Sequence, residues 1–217
     1  MKFSVVIISY RRKGNLEKIL NAWLSQVPDV WLCDCGINLE TRLPVKIVKF
    51  NKDPGSKSRH AIALLTEGDL VFKADDDVMP LPGFVDDIYK GWQAMGDSIV
   101  GVLGRKFEGE SYYKNTRFYA ANKLSRNQLV DFVGVITMSP RKYLPFDLKG
   151  CQTPIEDLFW QMKAYRDVPK YVIQTKSYIN LPESHDKDCL FHDQKAREIR
   201  EKFYIEYYNK HYHDCLP

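Results

Sequence analysis

The sequence predicts an α/β protein: an open mixed sheet flanked by helices, in a single domain. Three observations carry this expectation. Phe3 to Ile8 is an apolar run rich in β-branched residues, the pattern of a strand buried on both faces of a parallel sheet. A helical stripe of Leu16, Ile19, Leu20, Trp23 and Leu24 follows it closely. Further short apolar runs then alternate with helical patterns, and one of them, Leu70 to Phe72, leads into three consecutive carboxylates, Asp75, Asp76 and Asp77. The order strand, helix, strand, strand, helix, strand is Rossmann-like, and such sheets bind ligands at the carboxyl ends of their strands.

Each element has its own warrant. Asn15 is placed to cap the first helix. Val30 to Cys33 is the second strand, closing at Asp34-Cys35-Gly36, and Val45, Ile47 and Val48 mark the third. A helix beginning near Arg59 is expected to bury Ala61, Leu64 and Leu65. Beyond the aspartates, Pro80 and Pro82 stop the strand, and Phe84, Val85, Ile88, Tyr89 and Trp92 form one helical face. Ile99 to Leu103 reads as a strand ending at Gly104-Arg105-Lys106, and Val130 to Met138 as another, with a bulge or close approach at Gly134. Between them, Tyr112 to Arg126 is aromatic and basic without a clean period, able to stack sugars or bases or simply to cover the sheet.

A helix should open over Thr153 to Trp160, with Glu156 and Asp157 complementing the dipole of its first turn. Tyr171 to Gln174 is the last strand. A loop rich in His, Asp and Lys then leads to a terminal helix, where Lys195, Arg197, Arg200 and Lys202 interleave with Glu198 and Glu201 as a solvated face would.

Composition narrows the class. At 217 residues the chain suits one α/β domain with a full core, and no internal repeat or linker divides it. A net charge of +4 permits an anionic partner without demanding nucleic acid. No apolar run approaches the roughly 18–20 residues of a membrane span, and the first residues read as a strand rather than a signal peptide. Cysteines at 33, 35, 151, 189 and 215 suit reduced thiols, so the expected location is cytoplasmic. Cys33-x-Cys35 lacks the spacing of a zinc knuckle and reads as strand-end packing.

The aspartate triplet carries the chemistry. Adjacent like charges repel, and a divalent cation such as Mg²⁺ or Mn²⁺ would bridge them to an anionic ligand while keeping coordination sites open. The bland alternative is an acidic turn, or a cap for the next helix. Ser9, Tyr10, Arg11 and Asp34 lie at the ends of neighbouring strands and should face the same crevice.

Taken together these residues resemble nucleotide-sugar-dependent glycosyltransferases of the A-type (GT-A) fold, both family 2 and exostosin-like. The resemblance rests on Val5-Val6-Ile7-Ile8-Ser9-Tyr10-Arg11-Arg12 with Asn15-Leu16 and Leu20, and on Asp75-Asp76-Asp77 as a DxD motif. It rests also on Arg59 sixteen residues earlier, on Gly101, Gly104, Arg105 and Lys106, on Phe132 to Leu144, and on Ile155-Glu156-Asp157-Leu158. It spans nearly the whole chain, residues 1–104 as the nucleotide-sugar half and 105–217 as the acceptor half with a terminal helix.

The resemblance implies a metal-dependent transfer from a nucleoside diphosphate sugar, a UDP-sugar above all, to a hydroxyl acceptor, foremost a glycan. Alternatives are a modified nucleic-acid base as acceptor, or a non-catalytic nucleotide- or glycan-binding module. Asp77 would ligate the metal with Asp75, which also reaches the ribose, while Asp76 orients the sugar or a metal-bound water. Ser9, Tyr10, Arg11, Asp34, Arg59 and Arg105 would contact the nucleotide, and His192 or His185 would complete the metal shell. Asp157, with Glu156 beside it, would be the general base of an inverting enzyme or would orient the acceptor in a retaining one. A nucleotidyltransferase would need a glycine-rich phosphate loop after the first strand, where this chain has Gly14 alone.

Overall fold

The computed structural model describes residues 1–10, 12–51, 54–145, 151, 154–182 and 193–212. The first half follows the expected order. Strand β1 (Phe3–Ser9) leads to helix α1 (Leu16–Leu24), then come β2 (Asp29–Asp34), β3 (Lys46–Lys49), helix α2 (Ser58–Ala63) and β4 (Leu70–Ala74). In space β1 lies between β2 and β4, parallel to both, with β3 outside β2. The chain therefore winds outward in opposite directions from β1, and the crevice at that switch point is where such sheets bind ligands. Register fixes what meets there. Ser9 lies opposite Asp34, and Ile7 opposite Ala74, so the residues after Ala74 emerge beside the end of β1.

The core forms on both faces of this sheet. On one face Trp23 packs on Phe72 and edge-on to Phe84, with ring centroids 5.3 and 5.7 Å apart. On the other, Val6, Val71, Cys33 and Cys35 pack with Ile62, Ala63 and Leu144, so the paired cysteines are indeed strand-end packing. Helix α2 corrects the sequence expectation. It buries Ser58, His60, Ile62 and Ala63, while Ala61 and Leu65 face outward. At six residues it is too short for periodicity to fix its phase. Its orientation is set by Arg59 and His60, which point toward β4 and toward Trp160.

The second half contains β5 (Val78–Pro80), α3 (Phe84–Met95), β6 (Ile99–Phe107), β7 (Thr116–Ala120), β8 (Gln128–Val130), β9 (Phe132–Pro140), α4 (Glu156–Leu158), β10 (Lys170–Val172), β11 (Tyr178–Asn180) and α5 (Gln194–Tyr212). Strand β9 runs antiparallel to both β4 and β6, so the sheet is mixed, and the carboxyl end of β6 lies at the same edge as those of β1 and β4. The single strand expected over Val130 to Met138 is two, broken at Asp131, whose carboxylate instead accepts from the Phe107 amide and Lys106. The bulge expected at Gly134 is present. Pairing slips between Gly101 and Leu103 of β6, and Val135, the next residue, has a left-handed φ of 68°. Pro80 does not end the pairing: β5 forms a small sheet with β11, and the Leu181 amide donates to the Asp77 carbonyl.

The expected helix after residue 153 is a single α-turn, α4, continuing as a π-helical segment, Phe159–Ala164. Such segments are rare and need external support. Here Gln161 supplies it, donating to the Val133 carbonyl (2.6 Å) and accepting from the Val133 amide (2.9 Å) beside the bulge. Removing that amide strands two buried backbone groups, at about 1–3 kcal/mol each. Gln161→Leu should therefore lower the unfolding free energy by about 2–4 kcal/mol, read as a fall in the urea midpoint at unchanged slope.

Candidate active site

The triplet follows directly from β4, and its members differ. Asp76 is buried and accepts from the Ser9 hydroxyl (3.1 Å), the Tyr10 amide (2.9 Å) and the Arg12 guanidinium (3.0 Å). It clamps the end of β1 to the end of β4, so Ser9 and the Tyr10 backbone serve the protein's own aspartate. The Tyr10 ring packs against the Cys33 and Ile62 cluster. Asp77 accepts from Arg12 at 2.7 Å. Asp75 is the most open, its side chain 34% exposed, and it is paired with Arg59.

Burial, reinforced by the charge of Asp75, pushes the Asp77 carboxyl up to about 6, although Arg12 opposes the shift.

Arg59 joins the two halves of the crevice. Beyond Asp75, it lies 3.8 Å from Glu156, which is almost completely buried. Burial, then the adjacent Asp157, raises the Glu156 carboxyl, and Arg59 offsets part of that rise. Behind Arg59, the Lys73 amine sits 2.9 Å from the centre of the Trp160 ring, and His60 packs edge-on to the same ring at 5.3 Å. Burial and then the charge of Arg59 hold Lys73 well below the ordinary lysine range. Trp160 in turn donates to the Tyr143 carbonyl at 2.6 Å. The turn carrying Glu156 and Asp157 is thus seated against the strand carrying the aspartates.

Asp157 makes a two-pronged pair with Arg200 of α5, each oxygen 3.1 Å from a guanidinium nitrogen. Arg200 also donates to the Pro154 carbonyl (2.7 Å) and the Tyr112 hydroxyl (3.2 Å). The solvated face expected for α5 is therefore wrong at Arg200, which lies on the buried stripe of Ala196, Tyr204, Tyr207 and Tyr208. That spacing was available in the sequence. Tyr112 is part of the same aromatic core with Phe107, Phe132 and Tyr204, so this end of the Tyr112 to Arg126 stretch covers the sheet, while Phe118 stays exposed.

The remaining candidates fall into two groups. Asp34 is buried, and its oxygens accept from the amides of Ile37, Asn38 and Leu39 at 2.7–3.1 Å, holding its own loop. Arg105 stands on β6 at the same sheet edge, bonded to Thr116 (3.0 Å) and stacked on Tyr112 (4.6 Å), on the side of Arg200 rather than of the triplet. Arg11, His185 and His192 lie outside the described residues. In the sequence Arg12 is only part of the first-strand motif and Arg200 only part of a charged face, and Gln161 carries no signal.

Among the described residues no group of three His, Cys, Asp or Glu side chains is arranged to hold a metal ion. No family model matches the chain, and no curated protein matches it. Solved structures do. Residues 1–349 of S. aureus TarS in complex with UDP match with a TM-score of 0.61 at 16% identity, over 98% of this chain and 72% of that one. This chain shares the fold of that TarS segment. The same TarS segment in complex with UDP-GlcNAc matches at a TM-score of 0.58 and 17% identity over 82% of this chain, and this chain spans 57% of its length. Without ligand the segment matches at 0.58 and 16% over 99% of this chain. Among the described residues, no helix is long and apolar enough to cross a membrane.

The raised Asp77 has a testable sign. Because the folded state holds this proton more tightly than the unfolded chain, Asp77 costs stability progressively as pH rises from about 4 to about 6. Without added metal, Asp77→Asn should raise the unfolding free energy by about 1–3 kcal/mol at pH 7. The gain should vanish near pH 4, checked by denaturant melts across that range.

Proposed function

We propose that this protein transfers a sugar from a UDP-sugar to a hydroxyl acceptor, with a glycan as the acceptor and a divalent cation as cofactor. One observation carries the reading. Arg59 brings the open Asp75 and the Glu156–Asp157 turn together at the carboxyl ends of β1 and β4, in a fold observed elsewhere with UDP and UDP-GlcNAc bound. A donor-side acidic cluster and an acceptor-side carboxylate facing one crevice are what sugar transfer needs.

The donor set fits a cation. Asp75 and Asp77 offer hard carboxylate oxygens, and a cation would offset the burial and the like charge that together raise Asp77. Two carboxylates leave most coordination positions to diphosphate and water, in the open manner of Mg²⁺ and Mn²⁺ sites. When bound, the cation supplies Lewis-acid stabilisation of the leaving diphosphate.

The protein's own groups do the rest. Arg59, a planar fork already at Asp75, is suited to neutralise diphosphate oxygens. Asp157 accepts the proton of the acceptor hydroxyl as that oxygen attacks the anomeric carbon, and Arg200 fixes the orientation of its carboxylate. Glu156 holds Arg59 from behind and stays buried.

Two measurements test this. The melting temperature should rise with UDP or UDP-GlcNAc, and more so with Mn²⁺, since a ligand of the folded state stabilises by mass action. No shift with any uridine nucleotide, metal present, would defeat the reading. Asp157→Asn should keep the UDP-induced shift but lose about 10²–10⁴-fold in turnover on glycan acceptors. Retained turnover would remove Asp157 as the base. Activity on hydroxymethylated DNA instead of glycans would replace the acceptor assignment.

A further inference from the structure

We propose that Arg12 is a built-in counter-ion that holds the cation's place on Asp77 until a nucleoside diphosphate arrives, so that diphosphate and divalent cation load together. The inference rests on the metal-dependent transfer proposed above and adds how the metal site is controlled.

The geometry points to Arg12 specifically. One of its guanidinium nitrogens lies 3.0 Å from Asp76 Oδ1 and 2.7 Å from Asp77 Oδ2, bridging two adjacent carboxylates as a metal ion would. Its side chain is only 15% exposed, so this is a seated contact rather than a loose surface pair. The two carboxylates depend on it unequally. Asp76 also accepts from Ser9 and from the Tyr10 amide, and would remain compensated if Arg12 left. Asp77 has no second donor among the described residues, and Asp75 is compensated separately by Arg59. Asp77 is thus the carboxylate whose partner can be exchanged.

A divalent cation cannot share Asp77 Oδ2 with a guanidinium at 2.7 Å without strong like-charge repulsion. Arg12 therefore weakens binding of the free ion. A diphosphate changes the balance, because its paired oxygens can engage both arms of the guanidinium fork, whereas Asp76 and Asp77 share one of its nitrogens. As Arg12 turns to the diphosphate, Asp77 is released to the cation, which the diphosphate also ligates. Coupling of this kind is reciprocal: each ligand raises affinity for the other by the same factor.

The test is Mn²⁺ binding read by the loss of the free-ion electron paramagnetic resonance signal. It compares the unaltered protein with Arg12→Gln, Arg12→Met and Arg12→Lys, each with and without UDP, against a protein-free UDP control. Circular dichroism and melting curves establish which variants are folded. Two neutral variants of different polarity guard against one failing to fold. Without UDP, the neutral variants should bind Mn²⁺ about 5–150-fold more tightly than the unaltered protein, and Arg12→Lys should stay close to it. The gain in Mn²⁺ affinity on adding UDP should shrink in the neutral variants.

If the neutral variants bind Mn²⁺ no better without UDP, while UDP still raises Mn²⁺ affinity in every protein, the role of Arg12 is overturned and the metal-dependent reading stands. If no protein binds Mn²⁺ even with UDP, that reading fails, and this proposal with it.

Discussion

Three carboxylates on consecutive residues at the end of a buried strand must be compensated, and the crevice is arranged around that requirement. Parallel pairing of β4 with β1 delivers Asp76 to the Ser9 hydroxyl and the Tyr10 amide, with Arg12 as its third donor. The remaining charge draws in two arginines from different elements, Arg12 from the loop after β1 and Arg59 from α2. A buried charge left without a partner costs several kcal/mol, so these contacts are conditions of the fold as well as features of a site.

The same compensation links the two halves of the chain. Arg59 serves Asp75 and Glu156 together, while Lys73 and Trp160 pack in parallel with that bridge. In the second half of the chain, Gln161 locks the π-helical segment to β9, and Arg200 brings α5 to Asp157. Each of these joins residues far apart in sequence. A displacement of the Glu156–Asp157 turn would therefore be felt at the triplet through Arg59, and a ligand that recruits Arg59 would alter the setting of Glu156.

Much of this is legible in the sequence. The unbroken apolar runs of β1 and β4 and the stripe of α1 specify buried parallel strands and a covering helix, and the triplet's place at a strand end follows from them. The likeness to glycosyltransferases was carried by the order of several weak motifs. What was not legible depends on partners. Nothing in the sequence marks Arg12 as the partner of two carboxylates; the meeting of β1 with β4 brings Asp76 and Asp77 to it. Asp34 reads as a ligand contact because it ends a strand, but three amides of its own loop take it up. Arg200 looked solvated because charges of both signs surround it, although its spacing from Ala196 and Tyr204 places it on the aromatic stripe. In α2 a six-residue helix gives too few turns to reveal its buried side, and Arg59 and His60 decide it.

The central claim is that the donor's diphosphate binds between the aspartate triplet and Arg59, across the ends of β1 and β4. A crystal structure of the protein with UDP and Mn²⁺ tests it most directly. The account predicts diphosphate density within hydrogen-bonding distance of Arg59, with the cation ligated by Asp75 or Asp77. UDP bound at another surface, with Arg59 still paired to Asp75 and Arg12 to Asp77, would contradict it.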